Sequence, residues 1–209
     1  MRSIRLAPSA LLVAYGLAFA AAALGAALPA FDDHPGQLYR LWHVATFGPA
    51  PWAWDPGWWM GYPELQFYPP GFAYAGALLH LVSLRAVSLT LSYQILVWIA
   101  YLLPGLASGA LLTRVLGNAW AALPGAFLAL TLSGGLASGV EGGVHVGMVP
   151  ARLAWGLLPL IPLAMERWSG RRGTIPSLAV LLVAAVALTH PAHLPAAAVL
   201  LALAAVARH

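Results

Sequence analysis

Six apolar stretches run through this chain: residues 7–29, 93–113, 119–136, 146–164, 175–189 and 195–207. They restrict its fold more than any other feature. A helix needs about 20 mainly apolar residues to cross a bilayer core. The first four stretches approach that length. The last two are shorter and are parted by the Thr189-His190-Pro191 break. A seventh run, 72–84, is short for a span and suits an interfacial or re-entrant helix. Charged residues make up 8% of the chain, against roughly 25% in a soluble domain. So few charges cannot cover a soluble globule, and so apolar a chain cannot be a disordered tail. The expected fold is all-α: a polytopic transmembrane bundle of about six spans, with residues 1–209 forming a single transmembrane domain.

Arginine placement orients the spans, because cations collect on the cytoplasmic side. Every cation is an arginine, and no cysteine occurs. Without cysteine there is no disulfide framework, thiol catalysis or cysteine-ligated metal. The arginines are few and scattered between apolar runs, which excludes a nucleic-acid surface. Arg2 and Arg5 precede the first stretch, whose apolar core is longer than a signal peptide's. An uncleaved span with a cytoplasmic N-terminus is expected. If 72–84 does not cross, then Arg114, Arg167, Arg171 and Arg172 also lie inside. Arg208 joins them if the last span crosses. Arg40, Arg85 and Arg152 then fall at or near the outer face. In this topology Asp32, Asp33, His34, Asp55, Glu64, Glu141, His145, His190 and His193 share the outer side.

Residues 31–70 differ from the rest. They contain FDDHPGQLYRLWHV and then WAWDPGWWMGYPELQFYPP. Dense Pro, Gly and Trp predict an ordered irregular loop with short helices. Residues 37–45 suit a helix lying on the membrane, since Leu38, Leu41 and Trp42 fall on one face. Asp55 before Pro56-Gly57 is a turn signal. No P-loop, dinucleotide, zinc-protease or serine-elbow motif is present.

DDHPGQLYRLW, WDPGWWMGYPELQFYPP, the span ending LLTRVLG, and LTHPAH together resemble the GT-C class of integral membrane glycosyltransferases. More closely, they resemble the prokaryotic multispan proteins labelled 6-pyruvoyl-tetrahydropterin-synthase-related. The resemblance implies a protein of a prokaryotic cytoplasmic membrane, with the 31–70 loop outside. It implies transfer of a sugar from a polyprenyl-phosphate carrier to an acceptor at the outer face. It also implies an essential acidic residue just after the first span, a role that passes to Asp33 or its neighbour Asp32. Such a carboxylate deprotonates the acceptor hydroxyl, or holds a divalent cation (Mg or Mn) against the leaving phosphate. Because this class generally has more spans, the chain is expected to be the N-terminal part of a longer protein.

Each candidate has a plainer alternative. Asp32 and Asp33 also suit a solvated helix start. Glu141, a second acid, and His145, a metal ligand alongside Asp33, sit four residues apart in a glycine-rich stretch that disfavours a helix. Arg152 is a candidate clamp for the carrier phosphate, since arginine pairs phosphate bidentately, but it also suits snorkelling. Arg40 is the second such candidate, or an anchor for the surface helix. His34, Trp58, Trp59, Tyr62, Glu64 and Tyr68 are candidates for holding substrate. The aromatic side chains equally suit an interfacial belt. His190 and His193 have metal-chelating spacing but also suit a polar turn. The rival function is a non-enzymatic membrane transporter or scaffold fragment. Against it, transporters place ionisable groups near the bilayer midplane, whereas these spans are nearly free of charge.

Overall fold

The computed structural model describes residues 2–24, 29–30, 32–57, 60–133, 139–166 and 175–207, with side chains described from residue 6 to 20 in the first segment. Trp58, Trp59, Arg167, Arg171, Arg172 and Arg208 lie outside the described residues. Among those described, the chain is all-helical, and its one β feature is an isolated bridge between Asp55 and Tyr62.

Helix α1 is Arg2–Leu24, α2 is His34–Phe47, and α3 is the single turn Glu64–Phe67. Helix α4 is Gly71–Val82, α5 is Leu89–Leu116 and α6 is Ala119–Thr131. A π-turn, Glu141–His145, leads into α7 (Val149–Leu157) and α8 (Leu160–Glu166). Helix α9 is Ser177–Thr189, and a 3₁₀ turn, Pro191–His193, joins it to α10 (Leu194–Val206).

Among the described residues one helix, α5, is long and apolar enough to cross a membrane, with 28 residues and a mean hydropathy of 2.0. The other apolar helices at the expected spans fall short of the roughly 20 residues a crossing needs: Leu6–Ala20, Ala119–Thr131, Ser177–Thr189 and Pro191–Val206. Local chemistry accounts for two of the shortfalls. The expected span 146–164 is divided, because Pro159 and Pro162 remove helix donors and crowd the preceding turn. Leu158 N–H and Ile161 N–H bridge the break with short bonds to the Trp155 and Leu158 carbonyls. Helix α9 stops where His190 turns extended ahead of Pro191.

Helix direction sorts the groups to two ends. Helices α5 and α6 form an antiparallel hairpin through small residues. A Cβ on Gly105 would lie 2.9 Å from Leu130 Cβ, and one on Gly109 would lie 3.0 Å from Ala126 Cβ. Such small residues let two helix backbones approach closely. Helix α1 runs antiparallel to α5, with Gly16 against Leu102 and Phe19 stacked on Tyr101. At one end Arg114 pairs with Glu166. There Ser9, Arg114, Asn118 and Trp120 line a cavity of about 620 Å³. The other end, the loop end, carries α2, the π-turn and the 3₁₀ turn.

Helix α4 lies across the start of α5. Phe72 meets Tyr93 edge to face, and Gly76 sits against Leu41 and Leu96. Its N-terminus abuts the end of α9, where a Cβ on Gly71 would lie 2.8 Å from the Leu188 carbonyl. The main core gathers Leu41, Phe72, Tyr93, Leu96, Val97, Tyr101 and Leu130.

A candidate carboxylate site at the loop end

Helix α2 builds the site. Pro35 in its first turn fixes a helical φ and lacks an N–H that would otherwise go unbonded. His34, Gln37, Leu41 and Val44 form its buried stripe. Asp33 stands at the N-cap, and its side chain makes no capping bond. Asp32 before it has φ 49°, a left-handed conformation that aspartate tolerates better than most residues. Both aspartates are exposed.

Two contacts dock this helix start onto the π-turn 110 residues later in the chain. The Asp33 N–H donates to the Val146 carbonyl at 3.0 Å. The His34 Nε2–H donates to the Val144 carbonyl at 2.9 Å, with the His145 carbonyl at 3.3 Å. Carbonyls only accept, so Nε2 carries the proton and Nδ1 is left to accept. The Tyr93 hydroxyl supplies the donor, 2.5 Å away. His34 is fully buried. Burial holds its pKa below 6.5, partly opposed by the two carbonyl bonds. Gly147, at φ +94°, completes the joint, since a Cβ there would lie 2.7 Å from the His34 nitrogen. His34, expected among the substrate contacts, is thus a strut under the site.

The joint brings Asp32 and Asp33 to the segment that holds Glu141 and His145. Those two are joined, with His145 Nδ1 3.2 Å from Glu141 Oε1, and both are more than half exposed. The glycines of this stretch disfavour an α-helix, but a π-turn forms and makes the four-residue spacing a contact.

Further along α2, the Gln37 amide donates to the Tyr68 hydroxyl at 2.8 Å. Arg40 lies over the Tyr68 ring, 3.7 Å from its centre, and its Nε donates to Glu64 Oε1 at 2.5 Å. Glu64 is 2% exposed, and its Oε2 has no hydrogen-bond partner among the described residues. Arg40 therefore comes to the site already facing a buried carboxylate, and Glu64 and Tyr68 serve to hold it.

Beneath the aromatic loop lies a group that sequence reasoning missed. Asp55 is buried, and its Oδ1 accepts from the Tyr39 hydroxyl at 2.7 Å and the Gly57 N–H at 2.9 Å. Its Oδ2 lies 3.6 Å from Nδ1 of the fully buried His43. Burial, reinforced by Asp55, pushes the Tyr39 hydroxyl up to about 12. Asp55 and Tyr62 also exchange backbone hydrogen bonds at 2.9 and 3.1 Å, closing the loop that carries Trp58 and Trp59 in sequence. The Asp55-Pro56-Gly57 turn signal was legible, but the burial of Asp55 against α2 was not.

Arg152 is the largest fully buried side chain among the described residues. Its Nη2 donates to the Leu130 carbonyl at 2.6 Å, with the Ala129 and Tyr101 carbonyls at 3.5 Å. Its guanidinium thus caps the last turn of α6, where a cation suits the helix dipole. It is turned into the bundle.

His190 and His193 flank the 3₁₀ turn, with their Nδ1 atoms 3.0 Å apart. Among the described residues, no three histidine, aspartate or glutamate side chains gather closely enough to hold a metal ion. Comparison with protein-family models, curated proteins and solved structures finds no match for this chain.

Proposed function

We propose that this chain is a membrane glycosyltransferase of the GT-C kind, with Asp33, assisted by Asp32, as the carboxylate that acts on the acceptor hydroxyl. The carrying observation is the joint at Asp33. It holds an exposed carboxylate, not engaged in capping its helix, beside the segment of Glu141 and His145. A general base must reach the proton it takes, and this carboxylate faces solvent at the loop end.

The reading includes about six crossings in a prokaryotic cytoplasmic membrane, with the N-terminus inside and residues 31–70 outside. The antiparallel pairing of α1 with α5 and of α5 with α6 fits such crossings, although α5 alone among the described helices has the length and hydropathy of a span. The thirteen-residue helices α6, α9 and α10 would reach about 20 Å each, short of a core about 30 Å thick. Local bilayer thinning accommodates such helices at modest cost. The transferred group is a sugar on a polyprenyl-phosphate carrier, with membrane lipids as the surrounding partners. Arg40 and the loop aromatics Trp58, Trp59, Tyr62 and Tyr68 are the candidate contacts for carrier and sugar.

A divalent cation, Mg²⁺ or Mn²⁺, would neutralise charge on the leaving phosphate. Such ions use one or two protein carboxylates plus substrate phosphate. Asp33 and Asp32 supply carboxylates of that kind; among the described residues Glu141 and His145 do not gather with them into a group of three or more donors, so the expected Asp33–His145 ligand pair is not built here.

The test is transfer by the full chain in lipid nanodiscs, using a panel of polyprenyl-phosphate pentose and hexose donors. Loss of a positioned base costs about 10²–10⁴-fold, so Asp33→Asn is expected to fall by at least 10²-fold. Full transfer in both Asp33→Asn and Asp32→Asn would remove the carboxylate assignment. No transfer by the wild type with any donor would favour a transporter or scaffold.

A further inference from the structure

The 3₁₀ turn between α9 and α10 holds two imidazoles in a fixed relation. Three features preorganise it. The His190 N–H is tied to the Val186 carbonyl at 2.8 Å, and the His193 N–H to the His190 carbonyl at 3.1 Å. Pro191 stiffens the turn at its first position, and Pro195 stiffens the start of α10. The backbone of Leu188 and Thr189 is backed by Gly71 at the start of α4. On this frame the Nδ1 atoms of His190 and His193 face each other at 3.0 Å, with the rings inclined at 66°.

Two neutral imidazoles meet at Nδ1 only if one ring carries its proton there and the other accepts. The same spacing suits two ligands of one ion. Zn–N bonds of about 2.0–2.1 Å separate two ligating nitrogens by about 3.0 Å at a right angle and about 3.4 Å at the tetrahedral angle. A small rotation of either ring meets the requirement. Both rings are half-buried. Burial holds both below the usual histidine pKa; at His193 the charge of His190 adds to the effect and a hydrogen bond to the His190 backbone opposes it. The neutral, ligating form is therefore favoured at pH 7.

We infer that His190 and His193 form a two-imidazole site for a borderline divalent transition metal such as Zn²⁺. On binding, the Nδ1 proton of the donor ring moves to its own Nε2, and both Nδ1 lone pairs pass to the ion. No net proton is released from the neutral pair. Two protein ligands leave the remaining positions to water or to an exogenous donor, so the ion is exchangeable rather than structural. Imidazole pairs prefer Zn²⁺ and Cu²⁺ to Mg²⁺ and Ca²⁺. The site is separate from the carboxylates of α2 and stands whether or not the chain transfers sugar.

The experiment is Zn²⁺ titration of the full chain in nanodiscs, without a polyhistidine tag, by calorimetry at pH 7.5. One equivalent is expected to bind. His190→Gln and His193→Gln are each expected to weaken it at least tenfold, while His80→Gln leaves it unchanged. Absence of binding, or binding weakened by His80→Gln but by neither turn variant, would overturn the site. Diethyl pyrocarbonate mapping of the wild type covers variants that fail to fold. Zn²⁺ protection of both His190 and His193 supports the site, and protection of neither refutes it.

Discussion

The His34 ring is held between the Tyr93 hydroxyl, 2.5 Å from Nδ1, and the Val144 carbonyl, 2.9 Å from Nε2. One imidazole thus ties α2 to the first turns of α5 on one side and to the π-turn on the other. The position of Asp33 beside Glu141 and His145 depends on this tie, because His34 is the next residue in the chain.

Replacing Tyr93 by Phe keeps the ring that packs on Phe72 and removes the donor to His34 Nδ1. A buried acceptor left without a partner costs about 1–3 kcal/mol. Thermal unfolding of Tyr93→Phe in detergent should show that loss, and an unchanged midpoint would mean the bond carries no stability.

The His34 tie is also sensitive to pH. Its pKa in the folded chain lies below the unfolded value of 6.5. Between those two values the unfolded chain binds the extra proton, so stability falls as the solution is acidified. The contribution is complete above pH 6.5 and is lost as pH drops through the folded value. His190 and His193 are shifted in the same direction and add to the trend. Unfolding midpoints at pH 7.5, 6.5, 5.5 and 4.5 should decline, and less steeply in His34→Gln. A decline of equal slope in that variant would assign the effect elsewhere.

Arg40 and Glu64 should behave as a coupled pair. Glu64 is 2% exposed, so Arg40→Ala strands a buried carboxylate, a change that typically costs about 3–5 kcal/mol. Arg40→Ala combined with Glu64→Gln should recover part of that loss. A double-mutant cycle measures the coupling, and additive losses would show that the pair is not energetically joined.

Gly147 tests the joint from the other side. At φ +94°, with a Cβ 2.7 Å from the His34 nitrogen, Gly147→Ala meets both backbone strain and a backbone clash. Left-handed strain at a non-glycine residue costs about 1–3 kcal/mol. Limited proteolysis should cut the π-turn faster in this variant, whereas Gly117→Ala, at φ +65° in open space, should cut at the wild-type rate there.

Much of the helical content was legible in the chain, because apolar runs report helices regardless of their neighbours. The stretch 93–113 lies within α5, and the runs 72–84 and 175–189 correspond to α4 and α9 within a few residues. The broken run 146–164 was misread as continuous because hydropathy registers Pro159 and Pro162 as mild, whereas the backbone registers them as missing donors. A helix after the first stretch was also legible, but not its buried face: of Leu38, Leu41 and Trp42 only Leu41 is fully buried, and Trp42 is 41% exposed.

The roles of the polar groups were not legible, for a physical reason. A side chain's charge is local, but whether it is free to act depends on partners far along the chain. Arg152 reads as a phosphate clamp until the last turn of α6 offers it the Leu130 carbonyl. Asp55 reads as a turn until Tyr39 and His43 close over it. His34 reads as a substrate contact until the π-turn, 110 residues away, accepts its hydrogen bond. Residue types and their spacing therefore named the carboxylates Asp32, Asp33 and Glu141, which stay exposed. Packing chose which other polar groups were drawn inward, because burial stabilises a polar group only where a partner waits.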